Sequence, residues 1–451
     1  MTSKLKKTGK KLRKQLFHLT NPIFFETLLL MATGAVDVFM LSRYADEAVA
    51  ASGVVNQLVF LVSLVYMITT LGTSVLCAQY LGAKQYKNVS QVIGLSLVIN
   101  TLMGILVSAG LYYFAPQLLN LMGLKADLMR YGVPYMWLIG GSSVFLALAM
   151  TLGAILRSFK KAYYPMLVAL IINVVNVVGN YLFIFGHGGF PAMGISGAGL
   201  STALCRFLAV VLLALILFTK VTDWPHLKIF TPFPWDKIKN LLIIGLPAAG
   251  ENISYDLSQL VITYFTVMLG TVSLTVRTYA MNIVMFSFVF AIAIGHGASI
   301  MIGHLVGEKR TKAAFSLEKY SVRWAMIVTV VIALMTAILG KPLFTFLSQN
   351  PEVIKMGALI LVIDVVLEIG RAVNITAVNS LIAAGDVMFP FLTGIIVMWG
   401  VATLFSYILG IWAGWGLMGI WFSMALDELI RAAVFERRWQ SRKWQNKSFT
   451  R

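Results

Sequence analysis

Apolar residues run along this chain in long continuous blocks, separated by short charged or Gly/Pro-rich breaks, and they do not alternate with period two. A block of roughly 20 apolar residues lets a helix cross the ~30 Å hydrocarbon core of a bilayer, and continuous blocks suit helices rather than barrel strands. The pattern predicts twelve spans, near 15–42, 52–79, 91–114, 132–156, 163–185, 194–218, 238–269, 278–305, 322–346, 355–383, 389–411 and 416–435. The breaks are short except at 219–237, TKVTDWPHLKIFTPFPWDK, which holds three of the twelve prolines. It divides the chain into six spans and six. The expected fold is all-α and integral to the membrane, with an N-terminal lobe over 1–225 and a C-terminal lobe over 226–451.

The two halves repeat. At a constant offset of 225, Pro22 and Glu26 fall on Pro247 and Glu251, QYLGAKQ (79–85) falls on HLVGEKR (304–310), and Pro165 falls on Pro390. After a three-residue deletion, Gly194 and Gly197 fall on Gly416 and Gly419. Six spans per half give both halves the same orientation and predict pseudo-symmetric lobes, an arrangement typical of secondary transporters.

Composition sharpens this picture. The chain is 59% apolar and only 12% charged, about half the charge a soluble domain carries. With the N-terminus inside, the cytoplasmic segments hold 27 of the 36 Lys and Arg and the opposite side six. That bias places both termini in the cytoplasm of what is expected to be a bacterial inner (plasma) membrane protein. The net charge of +18 then reflects juxtamembrane tails facing anionic lipid, and no nucleic-acid partner is needed to explain it. The N-terminal basic run lacks a small-residue cleavage site after the first apolar block, so that block reads as a retained span. Cys77 and Cys205 both lie in apolar stretches, so neither a disulfide framework nor a thiolate metal site is expected. His296 and His304, two turns apart without a third ligand, read as core or gate residues.

Charge inside the spans carries the candidate chemistry, since it costs about 2.5–3.5 kcal/mol at a helix centre. Eight acids fall there: Glu26, Asp37, Glu251, Asp256, Asp364, Glu368, Asp427 and Glu428. Asp37 has no basic residue within two turns. Span five carries Asn173, Asn176 and Asn180 on one face. A carboxylate with amide oxygens suits a proton or Na⁺, a hard cation preferring oxygen ligands; interhelical hydrogen bonding is the alternative reading. In span ten Asp364, Glu368 and Arg371 share a face. With Glu251 and Asp256 of span seven they leave four acids against one Arg, a field suited to cations, with Arg371 expected to satisfy Glu368 alone. Asp427 and Glu428 read as a snorkelled interfacial pair with Arg431. Glu26 reads as either structural or a gate. No P-loop is present, so ATP is not expected as the energy source, and no catalytic motif supports an intramembrane enzyme.

Pro22 with Asp37, NVVGNYLFIFG in span five, GISGAGLSTAL entering span six and GLPAAGE opening span seven together resemble the multidrug and toxic compound extrusion (MATE) transporters of the multidrug/oligosaccharidyl-lipid/polysaccharide flippase superfamily. The resemblance covers essentially the whole chain. It implies a V-shaped pair of six-helix lobes that exchange Na⁺ or H⁺ for organic cations by alternating access, without a cofactor and as a monomer. It places the N-lobe cation site on Asp37, Asn176, Asn180 and Thr202. Position 180 departs from members that have an acid there, which removes one charge. It places the C-lobe site on Glu251 and Asp364; Asp256, Glu368 and Arg371 belong to no transferable pattern. A lipid-linked oligosaccharide flippase of the same superfamily would need Arg and Lys in its cavity, whereas the interior signal is acidic.

Overall fold

The computed structural model describes residues 2–223 and 231–450, so residues 224–230 of the dividing stretch, Lys228 among them, and Arg451 of the tail lie outside the described residues. The described chain is helical throughout: α1 (Thr2–Ser42), α2 (Asp46–Gly82), α3 (Tyr86–Tyr113), α4 (Ala115–Leu121), α5 (Met129–Gly141), α6 (Ser143–Ser158), α7 (Tyr163–Phe185), α8 (Ile195–Lys220), α9 (Trp235–Met268), α10 (Thr271–Gly307), α11 (Thr311–Ile338), α12 (Gly340–Leu347), α13 (Pro351–Ala384), α14 (Met388–Val397) and α15 (Gly416–Gln440). Two π-helical segments, Met398–Thr403 and Ser406–Trp412, extend α14.

The repeat recurs in the element boundaries. At an offset of 225, α2 begins and ends where α10 does, α3 where α11 does, and α7 begins where α14 does. Backbone conformation follows the same register. Lys84 and Lys309 both have φ of 58°, Lys160 (φ 61°) falls on Gly385 (φ 94°), and Gly194 (φ 56°) falls on Gly416 (φ 61°) after the three-residue deletion. A left-handed lysine is costly, so its recurrence at equivalent turns marks a shared turn geometry.

Each predicted span falls on one helix or on consecutive helical segments. Eight helices are long and apolar enough to cross a membrane, and α5 with α6, bent by 41° at Ser142, makes a ninth. The others, α9, α13 and α15, are 34, 34 and 25 residues long. Length does not separate these three from the rest; they hold the acids Glu251, Asp256, Asp364, Glu368, Asp427 and Glu428.

The chain forms two compact units, one of residues 25–245 and the other of residues 1–24 with 246–451. Against the expected division at 225/226, each unit therefore takes a short helical segment from the other half. Both crossings lie inside a helix and within three residues of its proline, Pro22 in α1 and Pro247 in α9. A proline removes a backbone donor and crowds the preceding turn, so the chain changes unit beside a weakened turn of each helix. Each unit has its own apolar core, around Leu41, Val55 and Met136 in one and Ile262, Ile360 and Trp421 in the other.

Candidate functional site

In the unit of residues 25–245, α1 and α7 are joined along one polar face. Thr33 Oγ1 donates to Asn173 Oδ1 at 2.8 Å, and one turn on Asn180 Nδ2 donates to Asp37 Oδ1 at 2.6 Å. The predicted Asn face thus exists, and two of its three amides reach α1. The middle one, Asn176, accepts from Asn180 at 3.3 Å and approaches Thr202 Oγ1 on α8 at 3.5 Å. Ser201 Oγ fixes the α7–α8 spacing by donating to the Asn176 carbonyl at 3.2 Å. The helices approach closely because Gly197 lacks a side chain: a Cβ there would stand 2.4 Å from the Phe183 carbonyl.

Asn176 and Asn180 are 1% and 0% exposed, and Asn180 Oδ1 has no hydrogen-bond partner. A buried amide oxygen without a donor normally costs free energy. Beside a carboxylate it makes an oxygen-rich pocket that a proton carrier or a small hard cation would satisfy. Asp37, Asn176, Asn180 and Thr202 are therefore brought together. Arg206 adds a charge that was not assigned a role from the sequence. Its guanidinium donates to the Ile139 carbonyl at 2.8 Å, and its field bears on Asp37.

In the other unit the acids form a chain of ion pairs. Arg371 binds Glu368 in a short contact on its own helix and reaches Glu428 Oε1 on α15 at 3.7 Å. Glu428 accepts from Asn374 at 2.6 Å and from Arg431 at 3.0 Å, and Arg431 Nε lies 3.1 Å from both oxygens of Asp427. Asp364 accepts from Trp421 Nε1 at 2.9 Å, while its second oxygen and that of Glu368 are buried without partners. Arg277 is buried in α10 and donates to Gln259 at 2.8 Å.

Three expectations change here. Asp427, Glu428 and Arg431 are buried rather than snorkelled at an interface. Arg371 serves Glu428 as well as Glu368. Asp256 is only half-buried, and no ion pair joins it to the network. Ser254 and Ser258 bond Trp399 at 3.0 Å and Thr403 at 2.8 Å. Residues two positions apart lie on opposite helix faces, so Asp256 is turned away. Glu251 occupies the favourable side of α9, where Gly394 leaves it room: a Cβ at 394 would lie 3.3 Å from Glu251 Oε1. Glu26 is paired with Arg157 at 2.7 Å. Glu318 escaped the sequence reading: it is 0% exposed, faces Glu436, and both of its oxygens lack hydrogen-bond donors.

A family model described as MatE matches residues 22–182 and 247–408, two segments in the register of the repeat. The chain belongs to the MatE family. MATE proteins are membrane transporters rather than enzymes, and this chain is one of them. The uncharacterized transporter YisQ of Bacillus subtilis (strain 168) is 37% identical over 96% of this chain and 95% of its own length. The probable multidrug resistance protein NorM of Thermotoga maritima is 24% identical over 97% and 94%. Among solved structures, a MATE transporter in a bent conformation superposes with a TM-score of 0.89 at 18% identity, covering 96% and 95%. A transporter from Pyrococcus furiosus, described as having a binding pocket of reversed polarity that suggests a different function, superposes at 0.87. The fold alone therefore does not choose a substrate.

Proposed function

We propose that this MATE protein is a secondary active multidrug exporter. It exchanges organic cations for H⁺ or Na⁺ by alternating access, through twelve spans with both termini in the cytoplasm. The carrying observation is the group of half-buried Asp37 with buried Asn180 and Asn176, in which the carboxylate accepts from the Asn180 amide and no ion pair engages it among the described residues, while the Asn180 oxygen is left without a donor. An intramembrane acid held only by amides has no structural need for its charge.

The other unit supports a cationic substrate. Glu251, Asp364, Glu368, Asp427 and Glu428 outnumber Arg277, Arg371 and Arg431, and low dielectric strengthens such a field. Arg371 and Arg431 are already bonded to carboxylates and Arg277 to Gln259, so none of these three interior guanidiniums is free to hold the pyrophosphate of a lipid-linked oligosaccharide. Exchange follows when the coupling ion and the substrate each bind the two access states with different affinity. Overexpression in a drug-sensitive bacterial host tests the reading: the wild type raises resistance to cationic dyes and drugs, and Asp37→Asn does not. Equal resistance from both would defeat it.

A further inference from the structure

A cavity of about 570 Å³ opens beside the start of α11, lined by Arg13 of α1, the turn Lys309–Arg310, Thr311 and Lys312 of α11, and Tyr320. Its size falls within the range of small-molecule sites. No carboxylate lines it. Arg310 is partly neutralised by Glu308 at 2.9 Å, but no ion pair engages Arg13, Lys309 or Lys312 among the described residues. The backbone adds to the charge: α11 has no side-chain cap, and the N–H groups of Thr311 and Lys312 begin a helix, where donors lack carbonyl partners and the dipole is positive.

Depth identifies the anion. The Arg13 guanidinium sits 4.6 Å over the Tyr320 ring, and Phe17 meets Tyr320 and Trp324 edge-on at 6.3 and 5.6 Å. Tyr and Trp concentrate where headgroups meet acyl chains. Cations therefore stand at headgroup level, with an aromatic floor about two to three turns deeper along α11. The equivalent turn of the first half has only Lys84 and Lys87, and Gln85 takes the place of Arg310, accepting from Asn88 at 2.8 Å.

We propose that this cavity binds the phosphate headgroup of one anionic phospholipid of the cytoplasmic leaflet. The site rests on the cytoplasmic placement of these helix ends. It would fix the basic start of α1 to α10 and α11 through a shared phosphate, beyond any diffuse attraction of the tails.

Lipid binding to the full-length protein, measured by native mass spectrometry with phosphatidylglycerol against phosphatidylcholine, tests this without a gradient or a transported substrate, so failed transport would not mask it. Each lysine or arginine that meets the bound phosphate is worth roughly five-fold in affinity, the strength of a basic side chain at an anionic surface. Arg13→Gln with Lys309→Gln and Lys312→Gln should therefore weaken phosphatidylglycerol binding roughly a hundred-fold. A control with the same charge removed elsewhere, Lys84→Gln with Lys87→Gln and Arg437→Gln, should stay within about three-fold of wild type. Should the triple variant not fold, Lys312→Gln alone should lose about five-fold. Equal losses in the two triples, or no preference for phosphatidylglycerol, would overturn the proposal. Glycerol phosphate displacing the lipid at equal concentration would overturn it too, by showing a site for free anions.

Discussion

Asp37 keeps its place through one amide. Asp37→Asn preserves the shape and can still accept from Asn180 Nδ2, so folding and insertion should be unchanged while ion-driven export is lost. Expression and thermal stability, measured beside export, separate these effects. Asn180→Asp tests the same pocket from the other side. It replaces the donor 2.6 Å from Asp37 with a second carboxylate, and two carboxylates that close require a proton or cation between them. Coupling-ion affinity should rise at least about ten-fold; an unchanged ion dependence would place Asn180 outside the ion path. These residues were legible in the sequence because helical spacing puts Asn173, Asn176 and Asn180 on one face and because an isolated intramembrane acid is conspicuous. Arg206 was not, since sequence spacing says nothing about which neighbouring helix a charge will face.

Two packing features hold the sites. The α7–α8 approach depends on Gly197, and Gly197→Ala would drive a methyl group into the Phe183 carbonyl. A loss of about 1–3 kcal/mol in stability is expected, together with separation of Asn176 from Thr202 and loss of export, as thermal unfolding and efflux assays would show. On α13, Arg371 compensates both Glu368 and Glu428. Arg371→Leu leaves buried carboxylates unpaired and should cost about 3–5 kcal/mol, readable as a large fall in unfolding temperature; a shift within error would mean the network is hydrated. The link from Arg371 to Glu428 spans α13 and α15 and has no local signature. Spacing revealed the pair within α13 and missed the partner across the interface. The bend at Ser142 escaped for a related reason: the run Gly140, Gly141, Ser142 and Ser143 is a short break between two apolar stretches, and hydropathy does not register a change of direction.

Across the whole molecule, the repeat was the most legible feature, because it fixes helix ends, turn conformations and proline positions together. Where the chain changes unit was not legible. The dividing stretch marks the join of the two repeats, whereas the compact units exchange segments inside α1 and α9. The distribution of charge between the units carries a further expectation. Glu251→Gln with Asp364→Asn should weaken binding of an organic cation by about ten-fold or more while sparing a neutral analogue of similar shape, since removing negative charge from a low-dielectric site penalises only the cation. Equal losses for both would show these acids hold the helices together.

The central claim, exchange of an organic cation for H⁺ or Na⁺ through Asp37, is tested most directly in proteoliposomes. Efflux of a fluorescent cation is followed under an imposed H⁺ or Na⁺ gradient. Wild-type protein should accelerate efflux when one of these gradients is applied inward and not when it is absent, and Asp37→Asn should abolish that acceleration. Gradient-driven efflux that persists at the wild-type rate in Asp37→Asn would contradict the account.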